Sequence, residues 1–451
     1  MSRQPCISVT GRLAGLALGV LYASAASSVA VADDWPQWMG PNRDGVYQEE
    51  NVIEQIPDEG LPILWRTKIA AGYSGPAVSG GRVFVTDYVK TSGTVTNNSD
   101  SRDSLTGTER LLCLDVETGQ ELWKFEYPRT YKLSFGAGPR ATPTVDNDRV
   151  YVLGAEGDLH CLRCADGEVV WKRQLSESTQ SESPIWGHAA HPLVWGELVY
   201  CLAGGEGSVV VALNKMSGEV VWQALTAGEI GYCPPTIYNF SGHEELLIWH
   251  IDAVNALNPT SGELIWSFEL KPQYGMAIAA PQRNGNRLFV SGIGKTAAML
   301  EIGTDGKPNR TLWSGRTNHG VYCGNATALF SDDAIYGSDC ETGQYIAVNP
   351  IDGTRFWESF QLTTGGERRA SHGTAFTVKH ADQYFLFTET GDFVIAKLSP
   401  EGFEEKGRMH VVDASNTCFG REVVWSHPAF AKQSMFVRND DEIVRVDLSV
   451  H

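Results

Sequence analysis

Cys113-Leu-Asp115-Val-Glu-Thr118-Gly119-Gln-Glu-Leu-Trp123 is not unique in this chain, and its recurrence decides the fold. It returns as Cys161-Leu-Arg163-Cys-Ala-Asp166-Gly167-Glu-Val-Val-Trp171 and as Ala212-Leu-Asn214-Lys-Met-Ser217-Gly218-Glu-Val-Val-Trp222. Two more copies are Ala256-Leu-Asn258-Pro-Thr-Ser261-Gly262-Glu-Leu-Ile-Trp266 and Ala347-Val-Asn349-Pro-Ile-Asp352-Gly353-Thr-Arg-Phe-Trp357. In most copies an apolar run ends in Asp or Asn, whose short side chain bonds the backbone two residues on and starts a turn. Glycine then supplies positive φ, and a second run carries the large aromatic. Each copy therefore reads as a hairpin that cannot bury both of its faces alone. Repetition at this period means a solenoid, a propeller or an array.

Working outward, a second β-rich run precedes each hairpin. These runs are Val83-Phe-Val85, Val150-Tyr-Val152, Leu198-Val-Tyr200, Leu246-Leu-Ile-Trp249, Leu288-Phe-Val290, Ala334-Ile-Tyr336, Tyr384-Phe-Leu-Phe387 and Met435-Phe-Val437. Consecutive apolar residues are expected where both sheet faces are covered. A further short run precedes each of these, as in Ala141-Thr-Pro-Thr-Val145, so the unit is a four-stranded blade. Trp65, Trp123, Trp171, Trp222, Trp266, Trp313 and Trp357 mark the outer strands of seven blades, and an eighth places Lys406 at the aromatic position. The fifth blade carries a widened turn, Gly303-Thr-Asp-Gly306. Leu64-Trp65 has no hairpin before it, whereas Glu442–Leu448 has no tryptophan strand after it. The two fragments complete each other. The expectation is an all-β, eight-bladed β-propeller of four-stranded antiparallel blades, closed by pairing N- and C-terminal strands, which removes exposed edges. The repeat tryptophans and Gly119, Gly218 and Gly262 are then structural.

The chain has 451 residues and a formal net charge of −18. That balance argues against nonspecific binding to nucleic acid, which needs a basic footprint. Residues 1–32 read as a secretory signal: Arg3 and Arg12, an apolar core from Leu13 to Tyr22, and Ala30-Val31-Ala32 before an expected cleavage after Ala32. The apolar core is shorter than the roughly 20 residues of a spanning helix, so the processed protein is expected in the periplasm or secreted, without an integral membrane segment. Residues 33–60, with Trp35 and Trp38 among Pro and Gly, form a leader arm expected to pack on the outside or one rim of the ring, and 61–451 form the propeller. Cys161-Leu-Arg-Cys164 has the spacing of a metal or redox pair, but Cys161 fills the slot of Ala212, Ala256 and Ala347 and reads as a small buried residue. The polar stretch Thr86 to Arg110 is expected to be a mobile decoration of the first blade.

The Ala/Cys-x-Asp/Asn-x-x-Thr/Ser-Gly-x-x-x-Trp signature resembles the pyrroloquinoline quinone (PQQ)-like propeller repeat over about residues 61–450. The resemblance implies either of two roles. Quinoprotein alcohol dehydrogenases are similar in architecture and hold PQQ and calcium in the funnel. BamB-type proteins, which scaffold outer-membrane protein assembly, look like an empty, non-catalytic version. The leader is similar to that of exported bacterial PQQ-like repeat proteins of unassigned activity. The adjacent cysteine pair of the dehydrogenases is missing here, as is any Cys-x-x-Cys-His for haem. No catalytic Asp or calcium ligand transfers by motif. The expectation is a non-catalytic binding or scaffold protein with no cofactor, the alternative being a PQQ- and calcium-dependent dehydrogenase or other funnel-based enzyme.

In a propeller, the loops leading into the innermost strands converge on one mouth of the channel. Here they carry Arg140, Trp186, His188, His191, Tyr232, His319, Tyr322, Arg368, Arg369, His372, Trp425 and His427. Five of the eleven histidines fall in these loops. The arginines suit a carboxylate or phosphate and the aromatics a ring, so the expected occupant is a protein or a small polar or anionic ligand. No nucleophile–base pair and no metal set can be assembled from the spacing.

Overall fold

The computed structural model describes Met1 and residues 34–366 and 368–450; the expected signal segment, from residue 2 on, and its cleavage point lie outside the described residues. Among the described residues the strands form eight sheets of the blade type. The first blade runs outward from Ala77–Ser79 through Arg82–Ser92 and Asp103–Asp115 to Glu121–Leu133, all antiparallel. The next six inner strands are Thr144–Asp146, Leu193–Trp195, Thr236–Phe240, Gln282–Asn284, Leu329–Phe330 and Ala375–His380. In the eighth blade, Ala429–Ala431, Ser434–Arg438 and Glu442–Asp447 are completed by Ile63–Lys68, with Trp65 opposite Arg445 and Arg66 opposite Val444. The two ends of the chain thus share one sheet, as the unmatched half-repeats require.

Burial follows from stacking. Tyr151, Leu153, Cys161 and Trp171 of the second blade pack face to face on Val199, Cys201, Val211 and Leu213 of the third. Each such side chain taken from water contributes on the order of 1.5–3 kcal/mol, which a lone hairpin cannot gain. Cys161 is therefore a core residue, and all eight described cysteines are free thiols.

The repeat motif fastens neighbours. Trp65, Trp123, Trp171, Trp222, Trp313 and Trp357 each donate their indole N–H to a backbone carbonyl at the corresponding turn of the following blade, over 2.8–3.1 Å. Trp266, which faces the widened turn of the fifth blade, differs: its N–H goes to the Glu245 carboxylate at 2.7 Å. The seventh blade, between Trp357 and the closing blade, corrects the sequence register. Gly407, not Lys406, sits across from Ile395 where the other blades place tryptophan, and Lys406 is the bulged residue. Ile56 of the leader fills that space: a Cβ on Gly407 would lie 2.6 Å from the Ile56 Cβ.

The leader follows one rim of the ring and reaches the outer strand of the seventh blade at Ile56. Trp35 bridges Val78, the Pro36 carbonyl accepts from Val145 N–H at 2.8 Å, Val46–Tyr47 adds parallel to Lys379 and His380, and Val52 bridges Ser449. These partners lie at the far ends of inner strands or in the closing blade, so the arm crosses the end of the channel opposite the loop-bearing mouth. Pro and Gly kept it from regular structure, and the buried Trp35 and Trp38 anchor it. The insertion in the first blade is not a loose decoration. Three strands of that blade are simply longer, and only residues 93–102 form a loop. No helix among the described residues is long and apolar enough to cross a membrane.

Candidate functional site: an aromatic cup at the channel mouth

All eight loops entering the inner strands line one cavity of about 970 Å³. Tyr73, Phe135 with Arg140, Trp186 with His191, Tyr232, Tyr274, Asn325, His372, and Trp425 with His427 represent them in chain order. Trp38 closes the far end: its indole stacks on His191 at 4.9 Å and donates its N–H to His427 Nε2 at 3.3 Å. The channel is therefore a cup with a floor, not a through pore. Its volume lies at the upper end of the about 300–1,000 Å³ common for ligand sites.

The mouth is partly bridged by the 93–102 loop, which brings Ser99 and Asp100 to the cavity. Asn97 Nδ2 donates to Asn416 Oδ1 at 2.8 Å and to the Thr417 carbonyl at 2.6 Å, and Trp186 Nε1 donates to the Ser99 carbonyl at 3.2 Å. The loop is a strap between the entry loops of the third and eighth blades.

Several rim residues are held in a backbone conformation that bulky side chains avoid. Phe135, Tyr274, His372 and Phe419 have φ of 51°, 59°, 59° and 50°. Each such residue costs on the order of 1–3 kcal/mol, and this kind of strain gathers at binding sites. Tyr274 is 72% exposed and Phe419 48%, so apolar rings are presented to solvent at the rim.

Seven of the twelve expected site residues line the cup: Arg140, Trp186, His191, Tyr232, His372, Trp425 and His427. Five do not. His188 is buried beside Ser176 Oγ at 3.2 Å. His319 packs edge-on against Trp313 and bonds the Asp352 carbonyl, fastening the fifth blade to the sixth. Tyr322 is buried and donates to carbonyls of its own loop at Arg316 and His319. Arg368 and Arg369 are exposed, and Arg369 Nε donates to the Glu341 carbonyl. Trp38, Phe135, Tyr274 and Phe419 were not among the expected residues. Trp38 belongs to the leader and the other three lie in loops of unequal length, where no periodicity flags them.

The polar groups are largely committed. Arg140 donates to the carbonyls of Gly138, Ser134 and Phe135 and rests 5.3 Å from the Tyr73 ring, so it braces its own loop. Burial pushes His427 down to about 3, His372 to about 4 and His191 well below its ordinary value, which keeps all three neutral near pH 7. Cys340 Sγ sits 3.2 Å from His372 Nδ1, with Asn325 Oδ1 3.4 Å from the same nitrogen. Burial raises that thiol far above its ordinary value, so it is a thiol facing a neutral imidazole, not an activated thiolate.

Calcium-bound PQQ is a poor match to these residues. A hard cation wants six to eight oxygen ligands. Among the described residues no group of three or more His, Cys, Asp or Glu is placed to share an ion, and the acidic residues of the lining, Asp100 and Glu229, are exposed ones.

The sequence model of the family described as outer membrane protein assembly factor BamB matches residues 107–359 and 250–437. Among curated proteins, the outer membrane protein assembly factor BamB of Shewanella oneidensis is 21% identical over 319 residues, 65% of this chain and 79% of that protein. The BamB of Yersinia pestis is 25% identical over 152 residues, which span only 38% of its length and 33% of this chain. Among solved structures, BamB from Moraxella catarrhalis superposes with a TM-score of 0.56 at 14% identity, covering 87% of this chain and 98% of that one. Quinohemoprotein alcohol dehydrogenase from Comamonas testosteroni superposes with a TM-score of 0.57 at 13% identity, covering 92% and 80%. Both likenesses establish a shared propeller fold.

Proposed function

The chain belongs to the family of the outer membrane protein assembly factor BamB, and from that premise we propose that it is a non-catalytic scaffold that binds a protein partner through the aromatic cup and its rim. The observation that carries this reading is the character of the cup. Rings from seven of the eight loops face one cavity, while the groups that chemistry would need are held neutral or engaged in bracing the loops. Exposed Tyr274 and Phe419 at the rim supply the large amphipathic or apolar anchors typical of protein contacts. The basic, apolar and small-residue pattern of residues 1–32 supports export to the periplasm, where the family's assembly role would be exercised.

Purified full chain incubated with PQQ, calcium and alcohols or sugars, with an artificial electron acceptor, tests the absence of chemistry. No PQQ-dependent dye reduction is expected. Turnover that vanishes when PQQ is left out overturns the reading. N-terminal sequencing of the protein recovered from a periplasmic fraction is expected to begin at Asp33, and recovery from the cytoplasm with Met1 intact contradicts export.

A further inference from the structure

The floor of the cup carries two hydrogen-bond donors whose tautomers the protein fixes and then leaves unused. His191 Nδ1 accepts from the Thr142 backbone N–H at 2.8 Å. A neutral imidazole with an accepting Nδ1 has its proton on Nε2, and that N–H meets no partner among the described residues. His427 Nε2 accepts from the Trp38 indole, so its proton is on Nδ1, again without a partner among the described residues. Both rings line the cavity, 5.9 Å apart and nearly perpendicular. His191 is only 6% exposed.

Beneath them is a cation without a counter-charge. Arg43 is 4% exposed, lies 5.4 Å from the Trp38 ring, and donates to the carbonyls of Pro192 and His191 at 2.9 and 3.1 Å. Its remaining side-chain contact is with neutral Gln37, and no described carboxylate is within ion-pair reach. A buried charge normally has an ionic partner, because isolation in low dielectric is unfavourable. One unpaired charge and two idle donors, under walls of aromatic rings, define what would complete the site.

We propose that the floor of the cup receives the carboxylate of a ring-bearing ligand, its oxygens accepting from His191 Nε2–H and His427 Nδ1–H and its single charge answering Arg43. This rests on the reading of the cup as a binding site. A carboxylate matches better than a phosphate, because only one positive charge lies uncompensated. Two sources present this chemistry: a free aromatic acid, or the terminal residue of a polypeptide entering end-on.

Titration of the full chain by tryptophan fluorescence, with N-acetylphenylalanine and a short peptide ending in phenylalanine, each compared with its C-terminal amide, tests the proposal. At least one acid should bind about tenfold more tightly than its amide. His427→Phe should reduce that preference to less than about threefold. Arg43→Gln, checked for folding by its far-UV spectrum, should do the same. Preference for the peptide alone assigns the polypeptide source, and preference for both assigns the free acid as sufficient. Equal affinity of acid and amide, no binding of either acid, or a preference that survives His427→Phe overturns the proposal. If partner contacts at the rim persist while acid and amide do not differ, the carboxylate assignment fails and the scaffold reading stands.

Discussion

The indole of Trp222 covers Gly262 of the following blade and gives its N–H to the Pro259 carbonyl 3.1 Å away. Gly262 has φ of 74°, and a Cβ there would come within 2.5 Å of the indole Cε3. The repeat motif is therefore an inter-blade clasp in which the tryptophan of one copy is written for the glycine of the next.

Gly262→Ala is expected to lose about 1–3 kcal/mol through strain and overpacking, and Trp222→Ala about 3 kcal/mol. Because the two side chains share one contact, the double variant should be less destabilised than the two single losses combined, by more than about 0.5 kcal/mol. Urea denaturation of the four proteins measures this, and strict additivity would show that the clasp is not a unit.

Stability should fall as pH drops from about 6.5 toward 4. His188 and His372 are lowered by burial to about 4 and His427 to about 3, so between these values and the ordinary 6.5 the unfolded chain binds protons that the folded one refuses. Each such group contributes a slope of up to about 1.4 kcal/mol per pH unit in that window, and none above it. His188→Gln, which lies outside the cup, should make the pH dependence of the melting temperature shallower below pH 6.5 without altering its shape above 7.5.

Trp38→Ala removes the floor, with its stack on His191 and its bond to His427, and is expected to lower stability by about 3 kcal/mol. Arg369→Ala, at an exposed position outside the cup, should stay within about 0.5 kcal/mol of the parent. Denaturant midpoints distinguish the two, and equal effects would contradict the placement of the leader as a stopper.

Replacing residues 94–101 by a short Gly-Ser turn cuts the strap between the third- and eighth-blade loops. The melting temperature should change little, since the tip buries little apolar surface, while ligand dissociation from the cup should accelerate. Stopped-flow fluorescence reads the rate, and an unchanged rate would show that the strap does not restrict the mouth.

The blade count and the meeting of the chain's ends were legible in the residues because each copy of the motif must be answered by a neighbour. Trp65 without its hairpin and Val444 without its tryptophan strand each named the other. The register of the seventh blade was not legible, because Gly407 is complemented by Ile56, hundreds of residues away in sequence. The loops that form the mouth were identifiable from topology, which is why Trp186, His191, Tyr232, His372 and His427 fell in the cup. Which way each loop folds was not. His319 turns to fasten the fifth blade to the sixth, Tyr322 braces its own loop, Arg368 and Arg369 turn to solvent, and Trp38 enters from the other end. The anionic-ligand expectation rested on arginines that brace a loop or lie outside the cup. The unpaired charge belongs to Arg43, which the sequence placed in the leader.

The most direct measurement is photocrosslinking in the native envelope, with p-benzoylphenylalanine replacing Phe419 or Tyr274 at the rim and Leu122 on the outer strand of the first blade as the control. The account predicts adducts to one and the same protein from both rim positions and none from the control. No adduct at the rim, or equal labelling at all three positions, would contradict a scaffold that works through its cup.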